Sequence, residues 1–142
     1  MSNPSFANLR VYVEKESHYI YTELTRGSSD EALDVPFSIM PHLFFAAACV
    51  GAKENAYKEL KKKRDIFVAD ALDGETQIPV LLALAYKNTG DLKVLSDPKK
   101  ILEIAQAYAN GGIEILYEQL KIGEGLRPLF RLVDFILQEK TP

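Results

Sequence analysis

Apolar positions recur along much of this chain at three- and four-residue offsets. Ile101, Ile104, Ala105 and Tyr108 follow that spacing most cleanly, which places their side chains on one face of an α-helix. Asp97 can cap this segment, and Pro98 takes the first helical position, where an N–H is not needed. Ile20 and Leu24 mark a face of an earlier helix over about residues 15–26, with Gly27 as its stop. Leu43, Phe44, Ala47, Ala48 and Gly51 describe a helix running from Ser38 or Pro41 to Gly51, with alanines that allow close packing. The run from Ile78 to Tyr86 has no polar face, which predicts a central buried helix within 75–90. Pro79 suits its first turn, and Gly90 suits the left-handed residue that ends it.

Other stretches depart from this period. Residues 9–13, "LRVYV", alternate and predict a short extended segment, while "GSSDEALDVP", 27–36, reads as a surface loop. "KENAYKELKKKR", 53–64, reads as a solvated helical stretch, and "DIFVADAL", 65–72, fits strand and helix equally. In "AYANGGIEIL", Gly111 and Gly112 interrupt a helical pattern at a cost of about 1 kcal/mol each. Either the chain turns there or another backbone approaches closely. The turn is the favoured reading, with Asn110, Gly111 and Gly112 as a joint and a new helix over 113–121 carrying Ile113, Leu116, Tyr117 and Leu120. "IGEG", 122–125, predicts another break before a terminal amphipathic helix over 126–138. The expectation is an all-α, compact single-domain helical bundle over 1–142, with about six helices, an extended arm over 1–14 and one short strand pair at most.

Composition adds bounds. The chain has 142 residues, 47% hydrophobic and 26% charged, enough for one domain with a sizeable core. A formal charge of −3 provides no general basic field for nucleic acid or anionic membrane. The single cysteine, Cys49, cannot pair internally and fits a reducing compartment. The opening "MSNPSFANLR" lacks a signal-peptide layout, and "LFFAAACVGA" is about half the roughly 20 residues of a spanning helix. A cytoplasmic protein without membrane contact is expected.

Candidate chemistry is sparse. His42 and Cys49 share a helix but lie about 10 Å apart along its axis, too far for the imidazole to activate the thiol. His18 is the other histidine, and no metal-ligand spacing, phosphate-cradling glycine loop or nucleophile elbow occurs. No catalytic residue, metal or cofactor is therefore assigned, although distant carboxylates could still assemble a site. Lys58, Lys61, Lys62, Lys63 and Arg64 could contact nucleic acid locally, but Glu54 and Glu59 interleave and favour a solvated face. Lys99 and Lys100 sit in a helical first turn, where they oppose the helix dipole and a bound anion would compensate them; two exposed lysines remain the plainer reading. In "LRPLFRLVDFILQEK", Leu126, Leu129, Phe130, Leu132, Phe135 and Ile136 leave only a narrow polar stripe. That surplus suits a partner interface or a homo-oligomer as well as a helix wedged between neighbours in its own domain.

Three segments together carry a resemblance: "FFAAACVGAKE", "LLALAYKNTGDLKVL" and "ILEIAQAYANGGIEIL". In this order the chain resembles the phosphorothioation-associated protein 4 family, encoded beside bacterial DNA phosphorothioation (Dnd-type) gene clusters. The likeness covers roughly residues 20–120, is most specific at Tyr108–Ile113 and does not include the stretch beyond Gly123. It implies an accessory role in DNA sulfur modification, or in the restriction and phage defence linked to it, among protein partners of that system. DNA contact would be indirect or weak, and a small DNA-contacting regulatory module using the local basic patch Lys58–Arg64 is the alternative. The resemblance implies no catalytic residues.

Overall fold

The computed structural model describes residues 5–26, 37, 39–121 and 135–137. Strand β1 (Arg10–Glu14) passes through a 3₁₀ turn into helix α1 (His18–Arg26). Helix α2 (Met40–Lys53), strand β2 (Lys63–Val68), helix α3 (Ile78–Thr89) and helix α4 (Pro98–Lys121) follow. The domain is mostly helical, with one antiparallel strand pair among the described residues.

β1 forms where the alternation predicts it. Val11 and Val13 are buried while Arg10 is exposed. The arm expected over 1–14 is thus partly a strand held to the core. Its partner corrects the expectation for 53–64: α2 ends at Lys53, Asn55 turns the chain at φ 57°, and β2 starts at Lys63. Asparagine tolerates that left-handed conformation. The strand is stabilised from a distance, by pairing with β1 and by Phe67 meeting Phe44 edge-to-face at 5.6 Å. Local helical spacing could not anticipate either contact. The ambiguous 65–72 therefore divides into the end of β2 and a 3₁₀ turn at Ala69–Ala71.

The second correction concerns the glycine pair. α4 continues through Asn110, Gly111 and Gly112 for 24 residues without a joint. A β-carbon on Gly111 would lie 1.9 Å from the Ala56 carbonyl oxygen, and one on Gly112 would lie 1.9 Å from that of Ala47. Gly51 stands in the same relation to the Tyr108 carbonyl oxygen, also at 1.9 Å. Helices α2 and α4 cross with their backbones in contact at Gly51 and Gly112, Gly111 meets the loop just beyond α2, and a side chain at any of these positions would force the backbones apart. Close packing offsets the helical cost of the glycines, about 2 kcal/mol for the pair. Gly51 belongs to this seam rather than to a helix end.

A third correction follows. Every residue from Ile104 to Ile113 is buried, so α4 is the central helix. α3, expected in that place, buries Ile78, Leu81 and Ala85 and leaves Tyr86 44% exposed. Its ends are as predicted, with Pro79 in the first turn and Gly90 left-handed at φ 68°. Asp97 caps α4, its Oδ1 accepting from the Lys100 N–H at 3.1 Å. The loop 27–36, the stop at Gly27, the break at 122–125 and the terminal helix, apart from 135–137, lie outside the described residues.

Candidate functional site

A bulge in the small sheet sets the geometry of the site. Val11 pairs with Phe67 and Tyr12 with Asp65, so Ile66 is the extra residue on β2. The Tyr12 N–H donates instead to Oε1 of Gln106 on α4, at 2.9 Å. Gln106 is only 5% exposed. This bond orients its amide: the oxygen faces Tyr12, so the Nε2 amino group points the other way.

The loop between α2 and β2 is tied to the same helix. The Lys58 N–H donates to the Ala107 carbonyl at 3.0 Å, and Asn110 Nδ2 donates to the Lys58 carbonyl at 3.0 Å. The Glu14 carboxylate accepts from the backbone N–H groups of Lys61 and Lys62, at 3.0 and 2.9 Å. Tyr57 packs edge-on to Tyr108 with ring centroids 5.0 Å apart. Burial, followed by the nearby Glu59, pushes the Tyr57 phenol above its ordinary range.

These ties split the basic run. Lys58 and Lys61 line a depression of about 360 Å³ with Glu14, Glu16, Glu59, Glu114 and Glu118, and Lys58 Nζ pairs with Glu114 at 3.1 Å. Lys63 turns the other way, into two adjoining depressions of about 230 and 260 Å³. Lys100 lines the first of these and Lys99 the second, and both share Lys63, Glu103 and Gln106. Lys62 and Arg64 are exposed, and neither lines these three depressions. Two clusters that are separate in sequence thus meet at Lys63. Arg10, at the margin, pairs with Asp65.

Of the expected partner interface, Leu126, Leu129, Phe130 and Leu132 lie outside the described residues. Phe135 is 6% exposed, with Lys53 Nζ 5.2 Å from its ring centroid, so it anchors to its own domain. Ile136 and Leu137 beside it are 63% and 71% exposed. Burial raises the Cys49 thiol, which reduces its thiolate fraction. Among the described residues no three His, Cys, Asp or Glu side chains converge as a metal site, and no helix is long and apolar enough to cross a membrane.

Gln106 escaped the sequence reading, whereas Tyr57 was visible there as the one aromatic beside the basic run. A lone glutamine on a helix carries no local signal, because its role depends on a bulge 94 residues away. The polar Gln106 amid "ILEIAQAYA", a position that is otherwise on the buried side, was the available clue.

The family described as DNA sulphur modification system-associated protein 4 matches the chain over residues 10–142. This chain belongs to that family. The match takes in the strand pair, the α2–α4 seam and the stretch beyond Gly123, which the sequence resemblance did not reach. Comparison with curated proteins and comparison with solved structures found no match. The family description ties the protein to a DNA sulphur modification system as an associated protein. It carries no residue roles, so the site rests on the geometry above.

Proposed function

We propose that this protein is a non-enzymatic accessory component of a bacterial DNA phosphorothioation-linked modification or phage-defence system, acting in the cytoplasm through protein–protein contacts. The observation that carries the reading is the segment Phe135–Leu137. Phe135 is inserted in the domain while Ile136 and Leu137 expose more than half of their surface. Two adjacent, exposed aliphatic side chains beside a fixed anchor form an apolar ledge suited to a protein surface. The family description supports the associated role. The divided lysine run, with Lys58 already paired to Glu114, supports indirect access to DNA.

The test is co-expression with the proteins encoded beside it, followed by affinity capture in high salt. The full chain is expected to retain a partner, and the double variant Ile136→Asp/Leu137→Asp is expected to lose it while remaining folded. Light scattering of the purified protein distinguishes self-association from capture of a different partner. Equal capture by wild type and double variant would contradict the reading.

A further inference from the structure

We propose that the two depressions meeting at Gln106 bind the phosphate of a nucleotide, with Gln106 Nε2 as the directed donor and Lys63, Lys99 and Lys100 as the charge. Gln106 is the deciding group. The residue is only 5% exposed, lines both depressions and spends its oxygen on the Tyr12 N–H. Among the described residues the Nε2 amino group makes no hydrogen bond, so two donors of this lining residue are left for a ligand in the depressions. Tyr21 Oη is the one buried side-chain polar atom without a partner among the described residues, so Nε2 is in reach of solvent, and a ligand could accept from it in place of water.

The charge nearby fits an anion. Lys63 comes from β2 and Lys99 and Lys100 from the first turn of α4, where their own charge opposes the helix dipole. A phosphate held by Lys63 together with Lys99 or Lys100 would offset that charge and add charge-assisted hydrogen bonds.

Two carboxylates narrow the choice of anion. Glu59 and Glu103 also line the first depression, and Glu103 holds Lys100 loosely at 3.9 Å. A bare inorganic ion gains nothing from them. A nucleotide offers them N–H and O–H donors at one end and its phosphate to the lysines at the other. Tyr57, 39% exposed and braced by Tyr108, adds an aromatic ring to the same wall, the kind of group on which a base packs. The inference is independent of the protein-contact reading, because none of these groups belongs to the Phe135–Leu137 ledge.

The experiment is a ¹H–¹⁵N NMR titration of the full chain with inorganic phosphate, thymidine monophosphate and a short single-stranded oligonucleotide. The Gln106 side-chain amide and the Tyr12 backbone amide are expected to shift with the nucleotide more strongly than with phosphate. Lys63→Gln/Lys100→Gln should weaken nucleotide binding by at least about tenfold, while the control Lys62→Gln/Arg64→Gln leaves it unchanged. Gln106→Glu keeps an acceptor for Tyr12 but removes the donors, and should abolish binding in a chain that still folds. If Gln106→Glu fails to fold, the lysine pair decides. Tighter binding of the oligonucleotide than of the monophosphate identifies a strand end as the source, and equal binding identifies a free nucleotide. Unmoved Gln106 amide resonances with every probe, or the lysine variant binding as wild type, would overturn the proposal.

Discussion

Gly112 on α4 faces the Ala47 carbonyl oxygen of α2 so closely that an added β-carbon would lie 1.9 Å from it and 2.6 Å from the Gly51 nitrogen. Both contacts are backbone, which cannot swing away as a side chain can. Helix propensity and packing therefore predict opposite signs for Gly112→Ala. Propensity alone would stabilise the protein by about 1 kcal/mol. Overpacking should outweigh it, with a net loss of about 2 kcal/mol or more. Chemical denaturation of Gly112→Ala checks the sign. Gly74→Ala is the matched control, since nothing lies within 4 Å of its added carbon and its stability should hardly change.

Asn110 ties the α2–β2 loop to α4 through the Lys58 carbonyl. Its side chain is buried, at 3% exposure, so truncation leaves that carbonyl without its donor. Asn110→Ala should cost about 1–3 kcal/mol. Hydrogen exchange should also quicken first at the Lys58 amide, before the rest of α4. Uniform quickening across the domain would show that Asn110 does not anchor the loop.

Tyr21 is buried, and among the described residues its hydroxyl has no hydrogen-bond partner. Tyr21→Phe removes that orphaned oxygen and should leave stability unchanged or raise it. Burial also pushes the Tyr21 phenol well above its ordinary value. Above about pH 10 the unfolded chain releases a proton that the folded chain keeps, so folding weakens as pH rises. Denaturation midpoints measured between neutral pH and pH 11 should fall less steeply for Tyr21→Phe than for wild type.

Asp73 shows the opposite sign. Its carboxylate accepts from the Thr76 and Glu75 N–H groups at 2.8 Å each, which holds its carboxyl below the ordinary range. That contribution is present above the unfolded value near pH 4 and is lost as pH falls through the folded one. The stability advantage of wild type over Asp73→Asn should be level from neutral pH down to about pH 4 and vanish below it. A difference that persists undiminished in acid would assign the effect to something other than the charge.

The start of α4 and both ends of α3 were legible because their signals are local. Asp97, Pro98, Pro79 and Gly90 act within a turn of their own position, and each has the predicted role. The single strand pair was half legible: β1 alternates, whereas β2 depends on a partner about 50 residues away. The Gly111–Gly112 pair had two physical explanations, a turn or a close approach. Only the position of α2 chooses between them, and one strand of text does not contain it. The lysines were visible as charge, but Lys63 and Lys100 meet through tertiary packing, and the bulge makes Gln106 a donor. Phe135, expected at a partner surface, is held by its own domain, while its neighbour Ile136 is exposed.

The seam, the tethered loop and the position of Gln106 all require α4 to be one helix. Backbone ¹³C chemical shifts across residues 98–121 test this directly. Unbroken helical shifts through Asn110, Gly111 and Gly112 are expected, and a left-handed or extended signature at either glycine would contradict the account.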